Sequence, residues 1–128
     1  MSLQIVGRFN SGPAVGGAGV ALSNADIPVL LVGRVVGVYV KYNDSPPAAT
    51  TDITIATKGT NAPAVTILAI ANAATNGWFY PRPQVHTIAG ALISAQYEMG
   101  VPIADIVNIK IDQANVNDNI DVWFLLEN

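Results

Sequence analysis

The stretch from Arg34 to Tyr42, Arg-Val-Val-Gly-Val-Tyr-Val-Lys-Tyr, constrains this chain more than any other. On an extended backbone Val36, Val38, Val40 and Tyr42 fall on one side, and Val35, Gly37, Tyr39 and Lys41 on the other. Alternation at period two is the signature of a β-strand, whose successive side chains point to opposite faces. Valine and tyrosine suit a pleated, half-buried surface. Lys41 shares its side with Gly37, which makes that side the more polar one. The pattern predicts a central strand with its Val36 side in a core.

The rest of the chain reads as strands laid beside this one or across from it. Leu3 to Asn10 is a short first strand, stopped by the turn formers Asn10-Ser11-Gly12-Pro13. Ala14 to Leu22 is rich in small residues and reads equally as an extended arm lying flat on another surface or as a flexible lead-in. Asn24-Ala25-Asp26 is a turn. Val29 to Val32 and Val35 to Tyr42 form one long bent strand, bulged at Gly33. Asn43-Asp44-Ser45-Pro46-Pro47 ends it; the glycosylation-type triplet there marks only an exposed turn. From Thr51 to Thr57, Ile53 and Ile55 face the core while Asp52 and Thr54 face out. Val65 to Ala71 is apolar on both faces, which predicts a strand covered on both sides. Asn76-Gly77 is a hairpin signal. The prolines Pro81 and Pro83 make the segment that starts at Trp78 an edge strand or an extended stretch, and Gln84-Val85-His86 resumes pairing. Ala89 to Gly100 is either a helical turn capped at Gly100 or a hairpin excursion. Val107, Ile109 and Ile111 point inward, Asp112 to Asn119 is a polar loop, and Val122, Phe124 and Leu126 share one face of the last strand. The fold class is therefore all-β, a single-domain sandwich or barrel of about eight strands. Residues 1–23 serve as an extended arm or first edge strand, and residues 24–128 as the sandwich domain.

A chain of 128 residues fits one domain and buries enough surface to need no metal or disulfide. Its 12% charged residues are about half the usual share of roughly 25%. Low charge implies either a very compact body or a surface covered by another protein. The net charge is −3 and the six basic residues are scattered, which argues against nucleic acid as a partner. Cysteine is absent, so disulfides and thiolate chemistry are excluded. Pro28, Arg34 and interrupting glycines break the apolar run from Ile27 to Val40 short of a membrane span, and the N-terminus lacks a signal-peptide pattern. The expectation is a soluble protein with no membrane partner.

No residue set converges on chemistry. His86 is the one histidine, and nothing in the spacing selects a nucleophile or an orienting carboxylate for it. The acidic loop from Asp112 to Asp121 offers oxygens but lacks the EF-hand order of ligands, and reads as a solvated turn. Gly17-Ala18-Gly19 opens like a dinucleotide fingerprint, but Leu22 stands where the third glycine belongs. The expectation is no enzyme, no catalytic residue, no metal and no cofactor. Trp78, Phe79, Tyr80 and Arg82 are the candidates for a contact surface, because Trp, Tyr and Arg are enriched at interface hot spots. At least one of the three aromatics is expected in the core.

Three blocks together resemble a known family. They are Val36-Gly37-Val38-Tyr39-Val40-Lys41-Tyr42 followed by Thr51-Asp52-Ile53-Thr54-Ile55-Ala56-Thr57; Asn76 through the Trp78-Phe79-Tyr80-Pro81-Arg82-Pro83 run to His86; and Val107-Asn108-Ile109-Lys110-Ile111 running to the terminal strand. They resemble the capsid decoration, or cement, proteins of tailed bacteriophages. The resemblance implies a jelly-roll-like β-sandwich that oligomerises as a trimer or a dimer. It implies a place on the outside of an icosahedral virion capsid, with the major capsid protein as partner. The protein would be made in the host cytoplasm. No site residue carries over, since that family is defined by fold and position. The alternative is a carbohydrate- or receptor-binding β-sandwich module of a phage fibre or spike, with Trp78 stacking a sugar ring.

Overall fold

The computed structural model describes residues 2–43, 47–60 and 63–128. Among them the chain forms strands β1 (Leu3–Asn10), β2 (Ala21–Tyr42), β3 (Asp52–Thr57), β4 (Thr66–Ile70), β5 (Gly77–Phe79), β6 (Gln84–His86), β7 (Leu92–Tyr97), β8 (Val101–Ala114) and β9 (Ile120–Glu127). No described residue is helical. Of the two expectations for Ala89 to Gly100, the hairpin is the one that forms. The Asn43-Asp44-Ser45 triplet reaches outside the described residues.

β2 is 22 residues long and absorbs the turn expected at Asn24-Ala25-Asp26. Residues 21–35 pair antiparallel with β8, and residues 34–42 with β9 on the opposite edge. A straight strand of that length would span ~70 Å. Yet β8 ends opposite Ala21, β9 begins opposite Tyr42, and only residues 115–119 join them. Such a link reaches roughly 20 Å. β2 must therefore double back on itself, and the sheet order β1-β9-β2-β8-β3-β4 closes into two facing layers. One layer holds the first half of β2 with β8, β3 and β4. The other holds the second half of β2 with β5, β9 and β1. Ser11 fastens them where the ends of β2 meet: its amide donates to the Ile120 carbonyl, and its carbonyl accepts from the Ser23 hydroxyl.

The reversal sits at two register shifts, between Asp26 and Leu30 and between Val35 and Gly37. A bulge adds one residue and swaps the faces of everything beyond it. Before the second bulge the odd residues Ala21, Ile27, Leu31 and Val35 are buried; after it the even residues Val38, Val40 and Tyr42 are. The expected bulge at Gly33 does not occur, since Gly33 pairs with Ile103 in unbroken register. Val36, expected in the core, lies within the shift and is only half-buried. Elsewhere the inward residues are as the alternation predicts: Ile53 and Ile55, then Val107, Ile109 and Ile111, then Val122, Phe124 and Leu126. Phe9 packs its ring against Phe124 at 6.0 Å between centroids.

Two expectations fail at the sheet margins. β4 is the outer strand of its layer, so Ile67 is buried but Val65 and Ala69 face solvent; apolar residues on both faces do not mean two covers here. Asn76-Gly77 does not make a hairpin between β4 and β5. β5 pairs instead with β2, Val38 opposite Phe79 and Val40 opposite Gly77. The Asn76 side-chain oxygen accepts the Tyr42 amide at 2.8 Å, so it caps β2 rather than shaping a turn.

β5 and β8 run in the same direction along the same edge of β2, with Phe79 opposite Val38 and Val101 opposite Val35. Residues 81–100 are thus an excursion from one nearly continuous strand line. They carry the two-stranded β6–β7 sheet, which stands apart from the larger sheet.

Candidate interaction surface

The middle of the outer face of the β5-β2-β9-β1 layer is apolar, between Lys41 opposite Asp121 at one end and Glu127 opposite Arg34 at the other. The registers place Trp78, Tyr39 and Trp123 in one row across β5, β2 and β9. A second row sets Gly37 opposite Leu125, and Leu125 opposite Ile5. These side chains point outward because the inward positions of the same strands are Val38, Val40, Phe124 and Val122. The Tyr39 ring meets Trp78 edge-on at 5.4 Å and Trp123 at 5.7 Å, while Trp78 and Tyr80 stack with 13° between their planes. Tilted and offset pairs of this kind follow from the ring quadrupole. Gly37 gives Trp78 room to lie flat: a Cβ there would sit 3.4 Å from its ring. Ile5, Tyr39, Trp78 and Trp123 line a shallow pocket of about 340 Å³.

Of the four contact candidates, Trp78 and Tyr80 lie on this face, 40% and 58% exposed. Phe79 points the other way and packs on the core, as expected of one member of the aromatic run. Arg82 is exposed in the segment that leaves the face. Tyr39, Trp123, Leu125 and Ile5 were not among the candidates. The side of β2 holding Gly37 and Tyr39, expected to be the more polar, is the centre of the apolar face. The signal for it was present: a large apolar residue on the outward phase of an amphipathic strand, at Tyr39 and again at Trp123 and Leu125.

The opposite layer bears a polar groove of about 590 Å³ lined by Asn24, Asp26, Ala56, Thr57, Lys58 and Asn108. Its groups satisfy one another. Lys58 Nζ lies 2.5 Å from Asp26, and the Asn108 amide donates to both Asn24 and Asp26. The hydrogen bond from Lys58, then that from Asn108, holds the Asp26 carboxyl below its ordinary value. An exposed pair of this sort adds little stability, and the arrangement is a network of surface side chains.

The acidic loop is shorter and less solvated than expected: Asp112 to Ala114 belong to β8, and Asp118 and Asp121 are buried and accept hydrogen bonds. His86 is exposed in β6, opposite Leu92. In the acidic loop, Asp118 accepts the Asn115 amide at 3.0 Å, and its carbonyl accepts the Ala14 amide at 2.9 Å. Asp121 accepts from the Asn10 amide at 2.9 Å, with Arg8 at 3.9 Å. The Ala14 bond ties the segment after β1 to the β8–β9 connection, and the Arg8 and Asn10 contacts tie the end of β1 to β9.

The surface that stands out is therefore an aromatic patch, free of charged side chains in its two central rows, on a folded β body. In comparisons with known proteins, no family model matches this chain and no curated protein matches it.

Proposed function

We propose that this chain is a structural subunit of a virion, a decoration protein that binds the outside of a tailed-phage capsid and stabilises the shell of major capsid protein. The observation that carries the reading is the outward aromatic face built by Trp78, Tyr39 and Trp123. Exposed apolar patches of this kind mark surfaces that another protein covers. The low charge, 12%, fits a body covered in an assembly, and the three-block resemblance supplies the kind of assembly. In this role the two-layer body is a jelly-roll-like variant. Residues 3–22 reach a neighbour through the open outer edge of β1 and the exposed turn 16–20, since Ala14 and Ala21 are fully buried in the chain's own core. A strand edge of that kind accepts a strand from another chain. The test is co-sedimentation with expanded shells that lack the protein. Saturable binding and a raised shell melting temperature are expected; no binding to shells in either the compact or the expanded state removes the reading.

A second reading, a carbohydrate-binding module of a fibre or spike, is favoured by one observation, the near-parallel exposed rings of Trp78 and Tyr80. Both tryptophans of the chain lie on this face. Glycan binding would therefore change tryptophan emission, and a silent glycan screen removes the second reading.

A further inference from the structure

We propose that the aromatic face is covered by the β6–β7 hairpin of a second copy of this chain. The inference rests on the assembly part of the proposed function, a covered face, and names what covers it.

Two apolar surfaces on this chain lack a cover. One is the face just described. The other is the hairpin, whose strands pair only with each other among the described residues. Its bonds close internally: the Glu98 amide donates to the Pro83 carbonyl, the Thr87 amide to the Ala91 carbonyl, and the Gln84 side chain to the Ile93 carbonyl. At its base the Arg34 guanidinium donates to the Met99 carbonyl at 3.1 Å. The hairpin is thus shaped and anchored, yet Ile88 is fully exposed, and Leu92, Tyr97 and Met99 are each about three-fifths exposed.

The two surfaces match in chemistry. Gln84 to Tyr97 contains no Asp, Glu, Lys or Arg. The rows Trp78-Tyr39-Trp123 and Gly37-Leu125-Ile5 contain none either. Contact between these stretches removes no formal charge from water, whereas burying an ion costs several kcal/mol; nearby charges include Glu98, next to Met99, and Glu127, opposite Leu3. They also match in size. At ~150–250 Å² for a large side chain, the four exposed hairpin residues offer on the order of 500 Å². The exposed parts of Leu3, Ile5, Trp78 and Tyr80 offer on the order of 400 Å². One such contact approaches the ~1,200 Å² floor of specific interfaces before Tyr39, Trp123 and the polar rim are counted.

Position supplies the rest. The excursion leaves the sandwich directly after Tyr80, at the rim of the face, and returns at Val101 on the same edge of β2. Each copy therefore presents one hairpin and, beside it, one face. Two copies can exchange hairpins reciprocally about a two-fold axis, or each can pass its hairpin to the next copy around a ring.

The absence of cysteine makes the test direct. Ile88→Cys at the hairpin tip and Ile5→Cys on the face, each in a separate chain, are mixed and oxidised without shells. Covalent dimer is expected in the mixture, well above the yield of either variant alone. Equal yields in all three samples overturn the proposal. In parallel, Ile88→Asp, at a fully exposed position where folding is indifferent to it, is compared with the native chain by light scattering and tryptophan emission. The expected result is association weakened about ten-fold or more with a red shift of Trp78 and Trp123 emission; unchanged mass and emission overturn it. Shell binding is scored separately. Cross-linking without shell binding keeps this contact and removes the capsid role, and shell binding by a chain that never cross-links keeps the role and removes the contact.

Discussion

Tyr42 shows how one side chain ties the end of the long strand to its surroundings. Its amide is taken by Asn76, and its hydroxyl donates to the Ala73 carbonyl at 2.8 Å. Burial pushes its phenol up from 10.0 to about 12, because the phenolate would lose water. The folded value lies above the unfolded one, so the stabilisation is complete below pH ~10 and is lost as pH rises towards about 12. Removing the hydroxyl in Tyr42→Phe costs about 1 kcal/mol at neutral pH, the net worth of one hydrogen bond. Melting temperatures measured from pH ~8 upward are expected to fall more steeply above pH ~10 for the native chain than for Tyr42→Phe. Parallel curves would mean that the hydroxyl is solvated rather than buried.

At the scale of elements, two glycines share a backbone conformation and differ in surroundings. Gly90 at the hairpin tip has φ +90 with nothing near, while Gly100 has φ +86 and would place a Cβ 2.6 Å from the Val35 carbonyl oxygen. Gly100 is where the excursion rejoins the sandwich, just before Val101 pairs with Val35. Gly100→Ala therefore adds a backbone collision to a left-handed penalty of roughly 1–2 kcal/mol. It is expected to lower the melting temperature by about 8 °C or more, and Gly90→Ala, which carries the left-handed penalty without the collision, by about half as much. Equal losses would mean that a small backbone shift relieves the collision with Val35. The alternations that place Ile53, Phe124 and Val107 inward were legible because a half-buried strand writes its burial into adjacent residues. Register was not. Asn76-Gly77 has the composition of a tight turn, but Asn76 spends its side chain on β2. The aromatic face joins Ile5, Tyr39, Trp78 and Trp123, which only pairing across four strands brings together. The reversal of β2 was half-visible: the bend could be read, but the bulge at Val35 to Gly37 that swaps its faces left no glycine-only mark.

The whole molecule divides into a body that closes on itself and an excursion that does not. Nearly all the buried apolar side chains lie in the nine-tenths of the sheet formed without β6 and β7, and no residue of 81–99 belongs to the buried core. Tyr80 and Val101 already lie on one strand line beside β2, so a short Gly-Ser link in place of residues 81–100 can join them without moving either strand. The deletion loses the Arg34 bond to Met99 and the tight fit of Gly100. It also shortens a loop whose closure costs entropy, which offsets part of that loss. The shortened chain is expected to unfold cooperatively within about 5 °C of the native melting temperature. It is expected to remain a monomer at concentrations where the native chain associates, with Trp78 and Trp123 in a wetter environment. A shortened chain that associates as the native one does would show that the hairpin is not what covers the face. One that fails to fold would show that the excursion belongs to the body after all.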